Sequence, residues 1–257
     1  AKQETGQPAQ PHRGIMSNSN ITYSISPEIF EMFPGYIRGV VIAHGVKNSP
    51  SPEDLISLLR AAEEDARSKL DLEKIIEHPY MASWRDAYRK FGAKPGKFRP
   101  SMEAMARRVL RNQQLPGISR LVDIGNIISI RYLVPAGGHA IDVVQGDSAL
   151  CTAAGDETFV PFGSDKAEAP DPGEIIFTEG KTVLTRRWTW RQANHTLVTP
   201  DTTALEFNVD GMPPVKMSEV EAACRELESL IERFCGGKCY HEILTPENNH
   251  ITLSMGY

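Results

Sequence analysis

EIIFTEG (residues 174–180) and TVLTRRWTW (182–190) decide how the middle of this chain is read. Both are short runs rich in β-branched and aromatic residues, set off by Pro172, Gly173 and Gly180. Short runs between Gly, Pro and Asp turns continue from Ile141 to Asp210 and predict strands. On either side the period changes. SPEDLISLLRAAEEDARSKL (51–70) repeats apolar residues at Leu55, Leu58, Leu59 and Ala62, with Ser51 placed to cap and Pro52 at the first helical position. It predicts an amphipathic helix from about Pro52 towards Ile76. ISRLVDIGNIISIRYL (118–133) and MSEVEAACRELESLIERF (217–234) are helical in pattern, the second stopped by Gly236 and Gly237. YIRGVVIAHGV (36–46) predicts a buried strand, and CYHEIL and HITLSM near the C-terminus predict edge strands. Helices before and after a β-rich middle imply an α+β fold, a mixed or antiparallel β core with flanking helices, rather than a doubly wound sheet.

The 257 residues are 40% hydrophobic and 24% charged, enough for a sizeable core in a globular chain. A single domain is expected over residues 21–257. The net charge of −5 argues against a protein that coats nucleic acid generally, so no DNA contact is expected, but it leaves room for a local basic patch. No apolar run approaches the roughly 18–20 residues a membrane helix needs, and no membrane partner is expected. Residues 1–20, polar and rich in Gln, Pro, Ser and Asn, read as a disordered leader or expression remnant, and the expected compartment is the cytosol.

Three local features bear on function. From Arg85 to Arg111 there are nine basic residues, Arg85, Arg89, Lys90, Lys94, Lys97, Arg99, Arg107, Arg108 and Arg111, against Asp86 and Glu103. That excess suits a polyanion, since phosphates are held mainly by Lys and Arg, or equally a solvated face beside an acidic helix. Cys235, Cys239 and His241 are metal-ligand types, but only Cys224 could complete a fourth position, and a helix end followed by a Gly-Gly turn accounts for the pattern as well. Neither metal nor cofactor is expected. GGHAID (137–142) places His139 after two glycines in what reads as a loop, either as a hydrogen-bonded structural residue or beside a closely approaching ligand. Nucleophile-elbow, phosphate-loop and dinucleotide fingerprints are absent.

SRLVDIGN, HAID, AAGDETFVPFG and LTRRWTWRQANHTLVTPDTTALEF, in that order, resemble the tRNA-editing domain in the β-subunit of bacterial phenylalanyl-tRNA synthetases. Asp123 and Asn126 match its Asp-x-x-Asn helix, and His139, Ala140 and Asp142 match its His-Ala-Phe-Asp turn. Glu157 matches its Gly-Glu turn, and Thr202 and Thr203 its Thr-rich stretch. The likeness covers about residues 84–210. The family's Gly-Gly-Glu falls on Gln192, Ala193 and Asn194, so that carboxylate is missing, and Thr152 stands where the family often has Arg.

The resemblance implies an aminoacyl-tRNA deacylase acting in trans, with the aminoacylated 3′ end of a tRNA as partner. The alternative is a tRNA- or protein-binding module without chemistry. In the first reading His139 orients water or the terminal ribose, and the Gly137 and Gly138 amides stabilise the oxyanion. Asp142 or Glu157 meets the α-ammonium, while Asn126 and Asn194 hydrogen-bond around it. Arg186, Arg187 and Arg191 join the basic stretch on phosphates. Trp188 and Trp190, on one side of a strand, either stack a terminal base or fill the core. Arg187 or Arg191 could instead pair with Glu157.

Overall fold

A computed structural model describes residues 20–254. The expected leader lies outside the described residues except for Asn20, which opens a strand. The chain begins with β1 (Asn20–Ile25), a short helix α1 (Pro27–Met32), β2 (Ile37–His44) and α2 (Glu53–Lys69). A 3-10 turn at Ile75–Glu77 leads to α3 (Pro79–Lys90), α4 (Ser101–Leu110) and α5 (Arg120–Tyr132). Then come β3 (Ala136–Ala140), β4 (Ser148–Thr152), β5 (Ile175–Glu179), β6 (Thr182–Arg186), β7 (Arg191–Gln192) and β8 (Ala204–Gly211). The chain closes with α6 (Met217–Cys235), β9 (Lys238–Leu244) and β10 (His250–Ser254).

The fold is α+β, as expected. One sheet has the order β10-β1-β4-β5-β6-β7, antiparallel except for the β1–β4 pair; the other, β3-β8-β2-β9, is antiparallel throughout. The two C-terminal runs are edge strands, one in each sheet. Helix α2 stops at Lys69, short of Ile76, because Leu70 is extended and the Asp71 carboxylate takes the Glu73 N–H into a turn.

Alternation along β2 and β8 separates two environments. Gly39 on β2 lies under α6, where a Cβ would come within 2.3 Å of Cys224 Sγ, and Phe207 on β8 packs against Gly125 of α5. The opposite face carries Arg38, Glu206, Asn208 and Asp210, and it meets Tyr23 of β1 and Phe177 of β5 in the six-stranded sheet. A strand alternating polar with apolar residues ordinarily turns its polar side to water. Here that side is covered by a second sheet, so the space between the sheets is polar at its centre.

Candidate functional site

His139 sits in β3, paired across to Glu206 of β8, and not in a loop. Gly137 and Gly138 are strand residues and make no tight turn. Gly138 serves close packing instead: a Cβ there would stand 2.9 Å from Phe207 Cε1. The Ala140 N–H donates to Thr196 O, and Gly138 O accepts from Gln192 Nε2. Even-numbered residues of β3 therefore turn their backbone groups to the open edge, while Gly137 and His139 direct theirs at β8. Of the two amides expected to form an oxyanion hole, only that of Gly138 faces away from the ladder.

The His139 ring is 3% exposed and tilts against Phe177 with centroids 5.1 Å apart. Thr196 Oγ1 lies 2.7 Å from Nδ1, and Thr185 Oγ1 lies 3.2 Å from Nε2. Burial, helped by the nearby Arg38 charge, pushes its pKa down to about 3. The imidazole is neutral near pH 7 and too weakly basic to take a proton efficiently there. It is a hydrogen-bonding group.

Two adjoining cavities open beside it. The first, about 240 Å³, is lined by His139, Arg38, Asn208, Trp188, Trp190 and Arg191, among others. The second, about 440 Å³, is mostly apolar, walled by Leu121, Val122, Phe162, Leu197, Val198 and Phe207. Asn126, Ala136, Gly137 and Gln192 border both, so the two cavities share a wall. Gln192 anchors this junction by donating to Gly138 O and Thr196 O, each at 3.1 Å.

Several residues expected at the site are elsewhere. Asp142 accepts the Thr203 N–H at 2.7 Å and fixes the loop before β8. Glu157 closes its own turn by accepting the Ala154 and Gly155 N–H groups, both at 2.8 Å, and meets neither Arg187 nor Arg191. Asn194 is exposed and donates to Ser164 O. None of the three lines either cavity, and among the described residues no Asp or Glu does. The Asp123 carboxylate is internal, accepting from Ile118 N–H and the Ser51 hydroxyl.

Arg186 and Arg187 are 5% and 6% exposed and cannot reach phosphates. Arg186 forms a fork on Glu174 at 2.9 and 2.8 Å, and Arg187 pairs with Asp171 while lying 3.7 Å over the Phe98 ring. The strand expected through 190 ends at Arg186, because Arg187 and Trp188 both have positive φ, 46° and 61°. That turn is held by Glu174 on the Arg187 N–H and by Tyr88 on the Arg187 carbonyl. It splits the two tryptophans. Trp188 is buried, meets Phe33, Tyr36 and Trp84 edge-on in the core and forms part of the cavity wall, whereas Trp190 is half-buried and borders the same cavity against Phe98.

The basic stretch divides likewise. Arg85 and Arg107 turn inward onto buried Glu103, and Arg89 pairs with Asp86. Lys94, Lys97, Arg99, Arg108 and Arg111 are exposed. The loop carrying Lys94, Lys97 and Arg99 leads into Ser101 of the first cavity, and its Phe98 supports Trp190. A basic surface therefore adjoins the mouth that Arg191 also borders. The cysteines are free, and no group that could hold a metal occurs among the described residues. His241 contacts Glu228 at 2.9 Å.

Sequence reasoning missed the polar group between the sheets. Asp210 holds Arg38 at 2.7 Å, Tyr36 donates to the same carboxylate at 2.5 Å, and Arg38 Nη1 reaches the Tyr23 hydroxyl at 2.9 Å. Beside them Glu206 is 1% exposed, and burial raises its pKa to about 8. An arginine inside the apolar run YIRGVVIAH was the available signal.

A model of the B3/4 domain matches residues 83–236, more than half of the chain. The chain belongs to the B3/4 domain family. The B3/4 stretch supplies Asn126, His139, Trp190, Gln192, Glu206 and Asp210, whereas Tyr23, Tyr36 and Arg38 come from outside it. Among solved structures, the crystal structure of an N-terminal fragment of the phenylalanyl-tRNA synthetase β-subunit from Pyrococcus horikoshii is similar, with 14% identity and a TM-score of 0.44. The match covers 94% of this B3/4 chain and 58% of that fragment. No curated protein sequence matches. No helix among the described residues is long and apolar enough to cross a membrane.

Proposed function

We propose that this B3/4 chain binds the aminoacylated 3′ end of a tRNA at the two cavities and hydrolyses the ester in trans. The observation that carries this reading is a pair of neighbouring cavities, one lined by His139 and several polar groups and one apolar, that share Asn126 and Gln192 as walls, with the exposed Arg191 bordering the first. An apolar amino-acid side chain suits the second cavity, and the terminal nucleotide suits the first with its base against Trp190. An aminoacyl ester is activated and has a neighbouring ribose hydroxyl, so positioning matters more than a strong base. That fits a neutral His139. The Gly138 N–H at the open strand edge is the amide available to a developing oxyanion.

A second reading, a binding module without chemistry, is favoured by one specific observation. No carboxylate lines either cavity among the described residues, so an α-ammonium would find no counter-charge there. A panel of mischarged tRNAs separates the two. Ester loss that disappears in His139→Ala, with the fold intact by circular dichroism, supports hydrolysis. Retention of every ester alongside measurable tRNA binding supports the module.

A further inference from the structure

Arg38 comes from outside the B3/4 stretch, yet it lines the first cavity while only 1% exposed. A guanidinium carries five N–H donors. The Nε–H faces the Tyr36 hydroxyl and Asp210 Oδ1, one Nη1 hydrogen serves Tyr23, and one Nη2 hydrogen serves Asp210 Oδ2. Two donors, one on each terminal nitrogen, are left over. Other donors line the same cavity. The Trp188 indole N–H is buried without a partner, and Asn208, Thr185, Ser101 and Arg191 add amide, hydroxyl and guanidinium groups. Asp210 balances the Arg38 charge but leaves these donors unfilled, and neither Asp210 nor Glu206 lines the cavity.

A guanidinium whose pairing with a carboxylate leaves fixed donors unfilled recognises oxygen anions in preference to neutral or cationic groups, because charged acceptors make the stronger hydrogen bonds. We propose that the first cavity is an oxyanion site, holding a phosphate or carboxylate of the ligand on Arg38 while an apolar part of the same molecule enters the second cavity. Asn126, Ala136, Gly137 and Gln192 border both cavities, which sets the apolar one directly beside the anion. This assignment does not depend on ester hydrolysis. A chain that binds such an anion and cleaves no ester keeps the site and loses only the deacylase reading.

The test uses the full chain and three probes of similar shape: phenyl phosphate, phenylacetate and neutral phenylacetamide. Trp188 and Trp190 border the cavity, so binding is read from tryptophan fluorescence. At least one acid is expected to bind saturably and at least tenfold more tightly than the amide, and which acid prevails distinguishes phosphate from carboxylate. Arg38→Gln with Asp210→Asn removes both charges of the buried pair together, avoiding a stranded carboxylate, and the preference should vanish. In the wild-type chain the Arg38 Nε–Hε resonance should shift with the preferred acid and not with the amide, a readout that needs no variant. Displacement of the acid by a CCA-ended RNA minihelix assigns the anion to the RNA backbone; failure to displace it assigns a small free acid. The site is refuted if the acids bind no better than the amide, or if the preference survives in the charge-free pair.

Discussion

Glu206→Gln should change how stability depends on pH, and the direction follows from the polar space between the sheets. Glu206 faces Arg38, Asp210, Asn208 and Tyr23 there, and burial raises its folded-state pKa from 4.5 to about 8. A carboxyl shifted upward binds its proton more tightly in the folded chain. Its contribution is fully present below pH 4.5 and is lost as pH rises towards 8, at about 1.4 kcal/mol per pH unit. His139 acts oppositely: with its pKa lowered from 6.5 to about 3, its contribution is present above 6.5 and is lost as pH falls towards 3. The two slopes cancel between about pH 4.5 and 6.5, and stability declines on both sides of that window. Urea unfolding of the wild type and Glu206→Gln at about pH 5 and pH 8 isolates the carboxyl, because every other group is common to both. The substitution carries a pH-independent cost for reseating a buried amide, but relative to wild type the variant should gain roughly 3 kcal/mol across that range. Parallel pH profiles for the two proteins would show that Glu206 ionises normally and that the buried polar centre is misassigned.

Three further outcomes can be checked independently. Glu174→Ala leaves Arg186 and the strained Arg187–Trp188 turn without their buried anion, and should lower the unfolding free energy by about 3–5 kcal/mol in urea titrations. Gly138→Ala forces its Cβ onto Phe207 and should cost about 1–3 kcal/mol, whereas Gly137→Ala, with its nearest neighbour 3.5 Å away, should leave the melting temperature nearly unchanged. Replacing Lys94, Lys97 and Arg99 together by Ala should weaken binding of a single-stranded CCA end and reduce the slope of log affinity against log salt by about 2. An unchanged slope would remove that loop from the interface.

The fold class was legible because period and punctuation agree with tertiary structure along most of the chain. Helices α5 and α6 and both C-terminal edge strands follow their patterns within a few residues. The site was only partly legible. Asn126, His139, Trp190 and Arg191 do border the first cavity, but Asp142, Glu157 and Asn194 are drawn off by hydrogen bonds to backbone groups, within its own turn for Glu157 and 61 and 30 positions away for Asp142 and Asn194, that residue type does not reveal. Nothing in RRWTW marks Arg187 and Trp188 as two consecutive left-handed residues, so the run has the pattern of one continuing strand; buried Glu174, thirteen positions before Arg187, makes that turn tenable. Glu206, Asn208 and Asp210 have the spacing of a solvated strand face, and only the apposed sheet makes them internal.

The cavities' role is tested most directly by Gly137→Val, since Gly137 borders both and a β-branched residue suits an extended strand. Single-turnover ester loss from a mischarged tRNA carrying a large apolar amino acid is the measurement. Wild type should release the amino acid, and the valine variant, folded and equally stable, should lose at least tenfold of that rate. Equal rates in the two proteins, or no release by either, would contradict hydrolysis at this site.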